Sequence, residues 1–156
     1  MTIGGNLSYH DTNYSTVDPR ILASLGTGNT EYLPGTLSPD WDGGVWGELQ
    51  SKPFANGASV SARIDANWHN KFLLQGNPDT IATVLQPYNY APAAWIVNGR
   101  VALRDISIGG VNAEVAVWGK NLTQNRDMTY ALSLAGALAA NYQAARTLGV
   151  DVKIHY

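Results

Sequence analysis

The sequence predicts an all-β fold, an antiparallel sheet of about six strands. Three observations predict it. Apolar and polar side chains alternate strictly in six separate runs, the connections between the runs are alternately long and short, and aromatic residues gather at the run ends.

The first run sets Ile3, Gly5, Leu7 and Tyr9 against Thr2, Gly4, Asn6 and Ser8. The second sets Trp41, Gly43, Val45, Gly47 and Leu49 against Asp42, Glu48, Gln50 and Lys52, with Trp46 falling on the polar side. The third, from Ala58 to Phe72, is the purest: Ala58, Val60, Ala62, Ile64, Ala66 and Trp68 alternate with Ser59, Ser61, Arg63, Asp65, Asn67, His69 and Lys71. A helix, with its period of 3.6, would scatter those two sets around its circumference; a strand puts them on opposite faces. In the fourth run Trp95, Val97, Gly99, Val101 and Leu103 oppose Asn98, Arg100 and Arg104, with Ile96 the exception. Val111, Ala113, Val115 and Val117 then oppose Asn112, Glu114 and Lys120, and finally Leu148, Val150, Val152, Ile154 and Tyr156 oppose Thr147, Gly149, Asp151, Lys153 and His155.

Runs two and three are joined by the tight Pro53-Phe54-Ala55-Asn56-Gly57, and runs four and five by Asp105-Ile106-Ser107-Ile108-Gly109-Gly110, both read as turns. The other connections, His10 to Asp40, Leu73 to Ala93 and Thr123 to Ala145, are long. Compact soluble domains seldom carry loops beyond about 12–15 residues, whereas membrane-spanning β-barrels place long loops at one end and short turns at the other. Tyr9, Trp41, Trp68, Phe72, Trp95 and Tyr156 lie at or near run ends, as amphipathic rings at headgroup level would. The expected architecture is therefore a segment of an antiparallel transmembrane barrel, with even-numbered residues from Val60 to Trp68 on the convex, lipid-facing side. The stretch Ala131 to Ala140 is unusually apolar for an external loop, and either a strand extension or a short helix accommodates it.

Composition narrows the function classes. The chain is 45% hydrophobic and 14% charged with a net charge of -2, which gives no electrostatic case for nucleic acid. Cysteine is absent, so disulfides and thiolate chemistry are excluded, and no apolar run is long enough for a transmembrane helix. The start Met1-Thr2-Ile3-Gly4-Gly5-Asn6 does not read as a secretory signal. His10, His69 and His155 lack ligand spacing, Gly26-Thr27-Gly28 lacks the strand and helix of a phosphate cradle, and Asn-x-Ser/Thr at Asn6, Asn13 and Asn121 carries no weight. No nucleophile and base stand in a catalytic order, so neither an enzyme, a metal nor a cofactor is expected.

Two stretches go beyond periodicity. Trp118-Gly119-Lys120-Asn121-Leu122-Thr123 resembles the strand-ending run near the C-terminus of TonB-dependent receptors, and Arg146-Thr147-Leu148-Gly149-Val150-Asp151-Val152-Lys153-Ile154-His155-Tyr156 resembles their last strand. The motif residues are Trp118, Gly119, Asn121, Leu122 and Arg146. The resemblance implies the C-terminal portion, residues 1–156, of an outer-membrane barrel that takes up a siderophore, cobalamin or glycan with TonB-supplied energy. The implied partners are outer-membrane lipid, the remaining barrel strands and plug domain, TonB, and the barrel-assembly machinery. Plug and signal peptide are absent from the sequence, and the transported ligand is left open. Gly149, Val150, Val152, Ile154 and Tyr156 correspond to the family's C-terminal assembly signal.

Within that reading Arg63, Asp65, His69, Lys71, Arg100, Arg104, Glu114 and Lys120, with Asp151 and Lys153, face the lumen. Cross-strand ion pairing is the simplest use for them, and a transport path or a plug contact the alternatives. A soluble β-sheet binding module, glycan-binding for example, is the competing class.

Overall fold

The computed structural model describes residues 1–24, 30, 33, 38–74, 88–134 and 137–155. Gly26-Thr27-Gly28, the Ala135-Gly136 tip of the apolar stretch and Tyr156 lie outside them. The strands are β1 (Thr2–Tyr9), β2 (Trp41–Gln50), β3 (Ser59–His69), β4 (Phe72–Leu73), β5 (Tyr90–Ala91), β6 (Ala94–Ile108), β7 (Val111–Lys120), β8 (Met128–Leu134), β9 (Ala137–Tyr142) and β10 (Thr147–His155). A single short helix is described, α1 (Pro19–Ser24). Asp18 caps it, its Oδ1 accepting from Arg20 N at 2.8 Å, and Pro19 fills the first helical position, where a missing N–H costs nothing.

Six strands form one sheet in the order β1-β2-β3-β6-β7-β10, and every neighbouring pair is antiparallel. These are the six alternating runs. β4 pairs with β5 and β8 with β9 as separate two-stranded sheets in the long connections. The six-stranded sheet is not closed on itself; β1 and β10 are its outer strands.

Register fixes what each face carries, since residues opposite each other in neighbouring strands point the same way. Ile3 stands opposite Gly47, Gly47 opposite Ile64, Ile64 opposite Gly99, Gly99 opposite Gly119, and Gly119 opposite Leu148. Another row runs Leu49, Ala62, Val101, Val117, Val150. The apolar positions of all six strands therefore share one face. No layer covers it among the described residues: Ile3, Leu7, Val45, Ile64, Val117, Val150 and Val152 are all exposed. The charged residues share the opposite face.

One reading from the sequence is corrected here. Asp105 to Gly110 is not a turn, because β6 runs through to Ile108 and only Gly109 and Gly110 lie between it and β7. Their φ values of +59° and +88° fit a two-residue hairpin turn that glycines favour. A β-bulge hides the continuity. Leu103 faces Val115 and Ile106 faces Ala113, so Arg104 and Asp105 together oppose Glu114, with Asp105 at φ +56°. The apolar phase thus passes from odd to even numbers, and Ile106 and Ile108 return to the apolar face.

The third strand ends at His69 and Phe72 opens β4, so Lys71 lies between two strands, its Nζ 4.1 Å from the Tyr90 ring centroid. The apolar stretch from Ala131 takes the strand alternative, as β8 and β9.

Because the sheet is an antiparallel meander, the three long connections leave from one end and the two short ones from the other. The long-loop end has a small core of its own: Leu74, Ala91 and Ala131 are buried, with Phe72, Met128 and Leu138 packed against them. That cluster joins the β4–β5 pair to the β8–β9 pair. At the same end Tyr9 packs on Trp41, ring centroids 4.8 Å apart, and Trp68 on Trp95 at 6.4 Å.

The bulge yields a test. Deleting Asp105 should let Arg104 alone face Glu114 and keep every later side chain on its present face, so folding stability should change by no more than roughly 1 kcal/mol. Deleting Val101 from the same strand shifts one side of the cut by a residue and exchanges its faces, which should abolish cooperative unfolding followed by circular dichroism.

Candidate functional site

The charged face is built row by row. Arg63 on β3 stands directly opposite Arg100 on β6, a like-charge pair that is unfavourable alone. Each arginine turns away to its own acids. Arg63 Nε donates to Asp65 Oδ1 at 3.1 Å and its Nη1 reaches Glu48 Oε2 at 3.5 Å. Arg100 Nη2 donates to Glu114 Oε1 at 2.6 Å and lies 3.8 Å from Asp151 Oδ2. Arg104 Nε donates to the other Glu114 oxygen at 3.0 Å, and Lys153 Nζ is 3.6 Å from Oε1.

Glu114 is therefore the centre of the lattice, shared by three cations. Its side chain is 11% exposed against 37% and 43% for Arg104 and Arg63, so only here is the pairing substantially shielded from water. The bulge matters to this geometry, because two residues opposite Glu114 bring the Arg104 side chain onto its second oxygen. Across the lattice four cations, Arg63, Arg100, Arg104 and Lys153, meet four anions, Glu48, Asp65, Glu114 and Asp151.

Two tryptophans lie among these charges, each against a glycine of an outer strand. A Cβ on Gly4 would come within 2.7 Å of the Trp46 ring, and one on Gly149 would overlap Trp118. A glycine beside a large ring leaves it room to lie flat on the sheet. Arg63 stacks over Trp46 at 4.6 Å, Lys120 lies 5.7 Å from the Trp118 centroid, and Trp118 Nε1 donates to Asp151 Oδ1 at 2.9 Å. Between these groups is an open depression of about 410 Å³ lined by Arg63, Asp65, Asn98, Arg100, Trp118, Lys120 and Asp151.

The end of β7 is fastened by Asn121. It is 3% exposed and takes φ +50°, the left-handed region that Asn tolerates better than most residues. Its Nδ2 donates to Asn125 O and Ala144 O, both at 2.7 Å, and its Oδ1 accepts from Asn125 N at 3.0 Å. Both amide hydrogens and the amide oxygen are thus engaged. Its own N–H donates to Asn98 Oδ1 at 3.0 Å, so one residue ties β7 to β6, to the following loop and to the approach to β10. Leu122 folds back over the apolar face, where a Cβ on Gly99 would lie 3.4 Å from its Cδ1. Thr123 Oγ1 donates to Trp95 O at 2.9 Å.

A scan of family models and searches of curated proteins and of solved structures find no match for this chain.

Of the lumen candidates read from the sequence, Arg63, Asp65, Arg100, Arg104 and Glu114 come together in the lattice. His69 and Lys120 lie on the same face, His69 with Nδ1 2.9 Å from Asn70 O, and Lys71 Nζ lies over the Tyr90 ring. Of the motif residues, Trp118, Gly119, Asn121 and Leu122 meet at the long-loop end of β7, while Arg146 stands exposed just before β10. Sequence reasoning missed Glu48 as the partner of Arg63. The pairing of Glu48 with Arg63 in register is what reveals it, and a period-two pattern alone carries no register between strands. It also missed Asn98, whose carbonyl oxygen anchors Asn121. Among the described residues no group of three His, Asp or Glu side chains could hold a metal ion.

Two substitutions separate lattice from surface. Glu114→Gln should cost roughly 1–3 kcal/mol in denaturant unfolding, since two arginines lose their shared acid, while Glu48→Gln should cost less than about 0.5 kcal/mol because Arg63 is half in water and keeps Asp65. Asn121→Asp, which sets a carboxylate against two backbone carbonyls, should cost about 2–4 kcal/mol and loosen the loop at residues 122–127, read by faster amide exchange there.

Proposed function

We propose that this chain forms part of the wall of an outer-membrane β-barrel transporter of the TonB-dependent receptor type. The observation that carries the reading is the apolar face: all six strands present most of their large aliphatic side chains to the same side, Ile3 at 70% and Leu148 at 67% exposure, and among the described residues no layer covers them beyond the folded-back Leu122. A contiguous apolar surface of this extent is unstable in water, and hydrocarbon is the medium that suits it.

Dimensions and decoration support the same medium. β2, β3, β7 and β10 have 10, 11, 10 and 9 residues, and a tilted barrel strand needs about 9–11 to cross a bilayer core. Tyr9, Trp41, Trp68 and Trp95 make a row of rings across β1, β2, β3 and β6 at the long-loop end, on the apolar face, where headgroups meet hydrocarbon. By that orientation the long loops are extracellular, and the charged face looks into the lumen. Glycine at Gly119, the left-handed Asn121 and the returning Leu122 give the Trp118 to Thr123 motif a structural reason for its residue types. In this reading the outer edges of β1 and β10 receive the remaining strands, the lumen holds a plug, energy comes through TonB, and the pattern Gly149, Val150, Val152, Ile154 and Tyr156 addresses the assembly machinery.

The test uses the five tryptophans, which the sheet divides between its faces. Single-tryptophan variants retaining Trp68 or Trp95 should be strongly quenched by brominated acyl chains after insertion into vesicles, and variants retaining Trp46 or Trp118 should be quenched several-fold less. Without detergent or lipid the chain should form inclusion bodies or large oligomers. A sharp water-soluble monomer with cooperative unfolding, or equal quenching of both sets, would overturn the reading in favour of a soluble binding module.

A further inference from the structure

We infer that the depression beside Trp118 is a binding subsite for a sugar ring carrying one carboxylate, with the indole as its platform and Lys120 as the partner of its charge. The inference deepens the transport reading and rests on it for the ligand's route; the site itself stands on geometry.

Charge balance singles out Lys120. The four cations of the lattice are matched by four acids, and Lys120 is a further cation on the same face, exposed and paired in the ladder with the neutral Thr147. Among the described residues no acid forms an ion pair with it. Its Nζ lies 5.7 Å from the Trp118 centroid, close to the limit of about 6 Å for a cation–π pair, so an incoming anion displaces little. One unmatched positive charge suits a monoanion. A phosphate dianion would exceed it and would stand near Asp65 and Asp151, which line the same depression.

The two tryptophans among the charges differ in what covers them. Trp46 has Arg63 stacked over it at 4.6 Å from the ring centroid. Trp118 rests one face on Gly149 and leaves the other to the depression, and its Nε1 donates to Asp151 Oδ1 at 2.9 Å, which fixes the ring in its plane. A plate held in place loses little freedom on binding, and the weakly positive C–H bonds on the flat side of a pyranose meet the negative face of the indole.

The rim supplies partners for hydroxyl groups. Asn98 accepts from Asn121 N through Oδ1 at 3.0 Å, which leaves its Nδ2 as a donor, and Asp65 holds Arg63 Nε through Oδ1, which leaves Oδ2 as an acceptor. The depression, about 410 Å³, falls within the roughly 300–1,000 Å³ of small-molecule sites. An acetate ion would use the lysine without the plate, and a neutral sugar the plate without the lysine. Because the site is open to water, the contact is weak and exchanges fast, as a station along a path requires.

The test uses the full chain refolded in detergent micelles and glucuronate as the probe, with glucose, acetate and inorganic phosphate compared at equal ionic strength. Binding is read from the fluorescence of a variant retaining only Trp118, and by isothermal titration of the wild-type chain should that variant not fold. Glucuronate should give a saturable response, with each comparison ligand roughly tenfold weaker or more, and Lys120→Gln should weaken glucuronate roughly tenfold while leaving glucose unchanged. No saturable response to glucuronate in the folded chain, equal binding of glucose, acetate or phosphate, or an unaltered Lys120→Gln variant overturns the inference. Brominated-lipid quenching of a variant retaining only Trp68 separates the two failures. Quenching without glucuronate binding sinks the subsite and spares the membrane reading, and glucuronate binding without quenching does the reverse.

Discussion

Every feature of this structure depends on register. A period of two gives each strand two different faces, but only the alignment of neighbours turns those faces into two continuous surfaces. If β3 slipped by one residue against β6, Ile64 would stand opposite Arg100 and Arg63 opposite Val101. The aliphatic face would be broken by an arginine, and Glu48 and Glu114 would lose the order in which they receive their cations. The pure alternation from Ala58 to Trp68, at the centre of the sheet, makes such a slip most costly where most strands would feel it.

The two faces answer opposite problems. On the charged side, long cations would repel one another across strands spaced about 4.8 Å apart, as Arg63 and Arg100 would. The sheet sets a row of small residues, Ser61, Ala102 and Ala116, beside them, all buried, and acids on the far sides to draw the arginines apart. Gly4 and Gly149 extend the same device to the outer strands by leaving room for Trp46 and Trp118. Among the described residues the apolar side has no comparable filling except Leu122 across Gly99 and Gly119. One face is finished by its own side chains, and the other is left to its surroundings.

How much of this the sequence disclosed follows from what is local. The six strands, their order and the identity of each face are written in the alternation, because that signal needs only neighbours two residues apart. The bulge at Arg104 and Asp105 was invisible for the same reason: it is defined by the partner strand, and a phase change from Leu103 to Ile106 reads along one strand as the end of the strand. Glu114 was legible as a charge on the inner face but not as the shared acid of three cations, which only the meeting of β6, β7 and β10 creates. The strand character of Ala131 to Ala140 was open because alanine and leucine suit helix and strand alike; the antiparallel pairing of β8 with β9 decides it for the described residues.

Under the proposed transport function, the completeness of the charge lattice also bears on where a ligand would be recognised. Arg63, Arg100, Arg104 and Lys153 each already hold an acid of the sheet, and a ligand carboxylate or phosphate would have to displace one at the cost of leaving it unpaired in the lattice. That cost is largest at Glu114 and smallest at the depression, where Lys120 holds only a ring and Arg63 is half in water. Aromatic and amide side chains are freer than the ions: Tyr88, Tyr130 and Tyr142 stand exposed on the long-loop side. Under that proposal the sheet is suited to stay rigid and nearly neutral while selectivity is set by the loops anchored through Asn121 and the Leu74, Ala91 and Ala131 core. Such a division places rigidity in the strands, where register enforces it, and variation in the connections, where register has no hold.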